Sequence, residues 1–128
     1  MKSMKVIPRI SEAEWEVLSV LWKKAPQSST RIIERLDSRG WKASTVRTFL
    51  TRLENKGVVR SKDGPDGKLY EPAVTREACV RQESQSFLDR VFEGATSALL
   101  VHFAKGKNLS EKEVAELEAI LAAQKRRR

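Results

Sequence analysis

The chain has 128 residues and a formal net charge of +8, enough for one domain or for a small domain plus an appendage. Hydrophobic residues make up 40% of it, yet no apolar run approaches the ~20 residues that a bilayer requires. One cysteine, Cys79, excludes an internal disulfide and a cysteine-rich metal site.

The opening MKSMKVIPRI is basic but lacks the apolar stretch and small-residue cleavage site of a secretory signal. A cytoplasmic protein with no membrane insertion is therefore predicted. Charge is uneven along the chain. Residues 1–73 hold 15 Lys and Arg against 9 Asp and Glu, while residues 74–128 hold 10 against 8, four of the ten being Lys125–Arg128. A basic front half attracts polyanions by counterion release, without implying any sequence preference.

Ser11-Glu12-Ala13-Glu14 reads as a capping box that opens a first helix. Trp15, Leu18, Leu21 and Trp22 follow at helical spacing, with the two Trp as core anchors, and Pro26 ends the segment. A second start signal, Ser28-Ser29-Thr30, leads into Ile32, Ile33 and Leu36, and Gly40 is a helix stop. This short helix carries Arg31, Arg35 and Arg39 at four-residue spacing. That row is either a solvated face paired with Glu34 and Asp37 or a flank facing phosphates.

A third helix is predicted from about Ser44 to Lys56, closed by Gly57. At roughly 100° per residue, Val46, Phe49, Leu50 and Leu53 share one stripe. Ser44, Thr48, Thr51 and Asn55 lie opposite, flanked by Arg47 and Arg52. The only acid, Glu54, sits nearer the core edge. Solvated faces usually carry Glu and Lys in paired spacing. Hydroxyls, an amide and Arg instead suit phosphates and base edges. The bland reading is a core helix with an indifferent outer face, and the basic hairpin next in the chain weighs against it. Val58, Val59 and Arg60 enter a strand, Asp63-Gly64-Pro65-Asp66-Gly67 is a dense turn signal, Lys68, Leu69 and Tyr70 return, and Pro72 ends the pairing. Three helices and a basic two-stranded hairpin make a winged helix-turn-helix.

Residues 75–124 predict three more helices. Phe87, Leu88, Val91 and Phe92 end the first; Ala98–Phe103 form a short apolar second that stops at Gly106. Ser110-Glu111-Lys112-Glu113 caps the third, which carries Val114, Leu117, Ile120 and Leu121. About 50 residues make a poor core by themselves. A homodimer sharing a core is expected, with Phe87, Leu88, Val91, Leu99, Leu100, Leu117 and Leu121 as its dimerisation residues. The predicted fold is thus mainly α: a winged helix-turn-helix DNA-binding domain over residues 1–74, a C-terminal helical dimerisation region over 75–124, and a basic, solvated tail over 125–128.

The segments ISEAEWEVLSVLW, STVRTFLTRLENKGVV, KLYEPAV, FLDRVFEGATSALLVHFA and LSEKEVAELEAIL occur in this order from Ile10 to Leu121. In them the chain resembles the penicillinase-repressor family of bacterial transcription regulators, the BlaI, MecI and copper-responsive CopY relatives. The resemblance implies a winged-helix repressor that dimerises through its C-terminal helices and binds a palindromic operator. It further implies that a recognition helix reads a TACA/TGTA-type dyad, the matching positions here being Thr45, Arg47, Thr48 and Arg52. Two departures stand out. The cysteine-rich metal hook of the copper-responsive branch is missing. The Asn–Phe bond cut in the β-lactam-responsive branch, whose partner is a membrane sensor protease, corresponds here to His102-Phe103.

The DNA-binding residues expected from both lines are Ser29, Lys42, Ser44, Thr45, Arg47, Thr48, Thr51, Arg52 and Lys68, with Ser29, Lys42 and Lys68 holding phosphates of double-stranded operator DNA. A lone His102 is expected to be structural and a lone Cys79 an incidental, semi-buried thiol, with no metal and no cofactor. No Ser/His/Asp arrangement, phosphate loop or carboxylate pair suggests an enzyme. The competing readings are a non-specific nucleic-acid binder, for which Tyr70 and Trp41 are the candidate stacking residues, and a winged-helix protein–protein adaptor.

Overall fold

Helix α1 (Glu12–Lys23) begins at the predicted capping box: Glu14 N donates to Ser11 Oγ (3.1 Å) and Ser11 N donates to Glu14 Oε1 (2.9 Å). In this computed structural model, which describes residues 7–106 and 108–127, α2 (Ser29–Arg35), a 3-10 turn (Asp37–Arg39) and α3 (Ala43–Asn55) follow. Ser28 caps α2 by accepting from Arg31 N at 3.2 Å. Gly40 has φ +72°, the left-handed conformation of a stop. Gly57, at φ +78°, closes α3 in a full Schellman motif: Val58 N reaches Leu53 O (3.1 Å) and Gly57 N reaches Glu54 O (3.0 Å). The two residues bracketing that motif, Leu53 and Val58, are both buried.

Strands β1 (Gln27–Ser28), β2 (Val59–Gly64) and β3 (Gly67–Pro72) form an antiparallel sheet in the order β1-β3-β2. Two expectations need correction here. The sheet has three strands, because Gln27 and Ser28 pair with Tyr70 and Leu69. A two-residue strand has no periodicity for a sequence to display. The hairpin is also tighter than predicted: Gly64 pairs with Gly67, so only Pro65 and Asp66 form the loop. Asp63 and Lys68 belong to the ladder.

The core of this part is Val17, Leu18 and Leu21 of α1, Ile32 and Leu36, Val46, Leu50 and Leu53 of α3, and Val58 and Val59. Burying each of these aliphatic side chains contributes about 1.5–3 kcal/mol. Trp15 and Trp22 pack against the cluster edge to face, 5.3 Å apart, and Trp22 Nε1 donates to Val74 O (3.0 Å).

Helix α4 (Arg76–Phe92), α5 (Thr96–Gly106) and α6 (Glu111–Arg126) complete the chain. Two compact units divide between Glu83 and Ser84, inside α4, whereas the sequence places the boundary after residue 74. The first turns of α4 belong with the first unit. Cys79 is buried in its core, and Gln82 exchanges hydrogen bonds with the backbone of Ile7 through both amide atoms. In the second unit Phe87 and Phe92 lie 6.1 Å apart, and Ser110 caps α6 in a second capping box. Lys125 and Arg126 are helical, so α6 runs into the segment predicted as a free tail; Arg128, like residues 1–6, lies outside the described residues.

Candidate nucleic-acid interface

Helix α3 has the two faces its sequence dictates. Val46, Leu50 and Leu53 are buried, and Phe49 is half-buried against Trp41, with ring centroids 5.3 Å apart. Ser44, Arg47, Thr48, Thr51, Arg52 and Asn55 are exposed, and Thr45 is half-exposed. Thr48 Oγ1 donates to Ser44 O and Thr51 Oγ1 donates to Arg47 O, each at 3.0 Å. These bonds occupy the hydroxyl hydrogens and leave the oxygen lone pairs available as acceptors. Glu54 is turned away from this face, accepting from Ser61 Oγ of β2 at 2.7 Å. Among the described residues no ion pair engages Arg47 or Arg52. The helix starts at Lys42 without a side-chain cap and with no acid in its first turn, which leaves that end favourable to anions.

The wing sorts its cations. Glu71 stands opposite Arg60 in the ladder and accepts from Arg60 Nε at 2.6 Å, while Lys62 Nζ lies 3.6 Å from its other oxygen. The Arg60 hydrogen bond holds the Glu71 carboxyl below its ordinary pKa, helped by the charges of both cations. Lys68 is exposed and, although Asp63 stands opposite it, forms no ion pair among the described residues. The three hairpin cations seen in sequence are therefore unequal, and Lys68 alone is unclaimed. Glu71 was missed by sequence reasoning; its cross-strand position opposite Arg60 becomes visible once the turn is counted as two residues. Ser29 is half-exposed at the start of α2, and Lys42 is exposed at the start of α3.

Lys56 fixes the far end of α3. Its Nζ donates to Glu14 Oε1 (2.6 Å) and to Arg9 O (2.7 Å). Glu14 is only 2% exposed. Burial pushes its carboxyl pKa up, but the Lys56 hydrogen bond, the Ser11 backbone N–H and the Lys56 charge together outweigh burial, and the net direction is down.

The competing readings fare less well. Trp41 and Tyr70 are both half-buried and pack against the core, whereas the stacking platforms that take single-stranded bases stand exposed on the surface. Among the described residues, the exposed large apolar side chains all fall between Val91 and Leu121, none on α3, whereas a protein-docking face would have an apolar centre. Cys79 is buried, and burial raises its thiol pKa. His102 lies on α5 between the rings of Phe92 (5.9 Å) and Phe103 (5.3 Å). Among the described residues, no three His, Cys, Asp or Glu side chains gather as a metal set, and no helix is long and apolar enough to cross a membrane.

Of the predicted dimerisation residues, Leu88 is already buried within the single chain, and Phe87 and Leu99 are half-buried. Val91, Leu100, Leu117 and Leu121 are exposed, and Val101, Phe103, Val114 and Ile120 join them. His102 and Phe103 lie inside α5, both exposed.

The family model described as "Penicillinase repressor" matches residues 10–123. The chain is 36% identical over 115 residues to the methicillin resistance regulatory protein MecI of Mammaliicoccus sciuri, covering 88% of this chain and 92% of that one. It is 32% identical over 126 residues to the penicillinase repressor of Bacillus licheniformis, covering 98% of both. Its fold superposes on the solution structure of the monomeric B. licheniformis BlaI in complex with the blaP half-operator. There the TM-score is 0.51 and the identity 33%, over 58% of this chain and 92% of that one. These relatives are transcriptional repressors, not enzymes, and the winged helix-turn-helix is the fold they share. On this sequence match and this fold, the chain belongs to the penicillinase repressor family.

Proposed function

We propose that two copies of this chain bind an inverted-repeat operator as a cytoplasmic repressor, each α3 lying in one major groove. The observation that carries the reading is the outer face of α3: hydroxyls, an amide and two Arg without ion pairs among the described residues, with its one acid tied back to β2. Arg47, Thr48 and Arg52 reach base edges, with Ser44, Thr45 and Thr51 beside them; Ser29, Lys42 and the wing Lys68 hold phosphates. The BlaI structure bound to a half-operator supports the docking mode. The winged-helix part serves recognition and the helices from α4 onward serve dimerisation. Among the described residues, eight exposed large apolar side chains between Val91 and Leu121 support that division, since a lone soluble chain rarely leaves so much apolar surface in water. A two-fold dimer reads a two-fold site, with half-site centres about one helical turn or a multiple apart.

Release by proteolysis follows from the same coupling. A cut at His102-Phe103, by a membrane sensor protease or an event downstream of it, splits α5 and removes α6 with Val114, Leu117, Ile120 and Leu121. Dimer affinity falls, and operator affinity falls with it because the two are linked. The bond lies inside a helix, so local unfolding must precede the cut.

DNase footprinting on the chain's own promoter tests the reading. A protected dyad is expected. Protection without symmetry, or equal affinity for random DNA, would contradict it.

A further inference from the structure

Beside the hairpin tip lies a cleft of about 340 Å³ that the operator reading leaves unused. Lys24 from the end of α1, Ser28, Arg31 and Arg35 along α2, and Asp66 from the hairpin loop line it. Arg31 and Arg35 are four residues apart, hence one above the other on the same helix face. Neither they nor Lys24 has an ion-pair partner among the described residues. Arg39, the next residue in the same four-residue series, is paired with Glu16. The cations of this row that remain free are thus those that face the cleft.

The cleft also offers hydrogen bonds. Ser28 Oγ already accepts from Arg31 N, which leaves its hydroxyl proton to donate. Gln27, 5% exposed, forms part of the wall and holds its shape: its Nε2 donates to Val20 O (3.2 Å) and Lys24 O (2.5 Å). Its Oε1 is buried with no donor among the described residues and, being an acceptor, takes no part in holding an oxyanion. Three cations facing one cleft repel each other, and the single carboxylate of Asp66 offsets only part of that. A bound oxyanion removes the rest. Two guanidinium forks and an ammonium suit the several oxygens of a phosphate group.

We propose that this cleft between α2 and the wing tip binds a phosphate group, delivered either by a DNA backbone beyond the bases read by α3 or by a small free phosphate compound. The DNA source rests on the repressor reading; the free source does not. On DNA, the cleft would clamp the wing against one strand and add affinity without adding sequence preference.

The test uses the full chain and its Arg31→Gln/Arg35→Gln variant, with exposed Arg81→Gln on α4 as a control. The first measurement is the salt dependence of binding to random-sequence duplex, where each lost phosphate contact lowers the slope by about 0.9. The second is calorimetric titration with inorganic pyrophosphate, which needs no operator and so survives failure of the repressor reading. A slope lower by about one to two in the double variant, unchanged in the control, assigns the phosphate to a DNA backbone. Saturable pyrophosphate binding that the double variant loses, with an unchanged slope, assigns it to a free compound. In either case Asp66→Asn should strengthen binding, because it removes the one opposing charge. If the double variant changes neither the slope nor pyrophosphate binding, the proposal is overturned.

Discussion

Replacing Lys56 with Met removes the ammonium from Glu14 and from Arg9 O while keeping most of the apolar stem. Glu14 is 2% exposed and would keep only its contacts to Ser11, whose backbone N–H lies at 2.9 Å. Breaking a buried pair by deleting one partner costs about 3–5 kcal/mol. The Lys56 side chain is 30% exposed, so water can enter the vacated position, and the low end, about 3 kcal/mol, is expected. The pH dependence carries the sharper test. In the native chain the Glu14 pKa is lowered, so its contribution is present above the ordinary carboxylate pKa and is lost as pH falls through the lowered value. In Lys56→Met burial, already the largest single influence on Glu14, loses its main opponents and pushes the pKa up. The charged carboxylate then destabilises at neutral pH and is relieved on protonation. Urea unfolding followed by tryptophan fluorescence reads this part of the chain, because Trp15, Trp22 and Trp41 all lie in the first unit. The penalty should be about 3 kcal/mol near neutral pH, shrink toward about pH 3.5, and be largely removed by adding Glu14→Gln. A penalty below about 1 kcal/mol, or one equal at both pH values, would refute this account of how α3 is anchored.

Leu100→Asp should place a charge on the exposed apolar face of α5 and yield a monomer with most operator affinity lost, as read by sedimentation and gel shift; a persistent tight dimer would contradict the dimerisation proposal. Lys68→Ala should lower the salt slope of DNA binding by about one unit, whereas Arg60→Ala, whose guanidinium is held by Glu71, should change it less. Gly64→Ala should destabilise by roughly 1–3 kcal/mol in thermal unfolding, because its new Cβ would sit 2.9 Å from Gly67 O and from Leu69 Cδ1.

What was legible in the sequence was what is local. Both capping boxes, the two faces of α3 and the Gly57 stop depend on residues within one or two turns of one another, and all three formed. The family likeness from Ile10 to Leu121 agrees closely with the matched range, residues 10–123. What escaped depends on partners distant in sequence. Strand β1 exists only because Gln27 and Ser28 meet Leu69 and Tyr70. Lys56 and Glu14 are 42 residues apart. The boundary inside α4 is set by Cys79 and Gln82 packing back on the first unit, which no helical pattern displays. For the candidate interface, the exposed residues of α3 were readable from periodicity, but the unequal fate of Arg60, Lys62 and Lys68 required the ladder register.

The proposed role of the outer face of α3 is to read sequence. The most direct measurement is competition between the dyad from the chain's own promoter and a scrambled duplex, at one salt concentration, for the native chain and Arg47→Ala. Losing a base contact costs about 1–3 kcal/mol, so the preference for the dyad should fall by roughly 5- to 150-fold while binding to scrambled DNA changes little. An equal loss on both duplexes would make Arg47 a phosphate contact and contradict the claim.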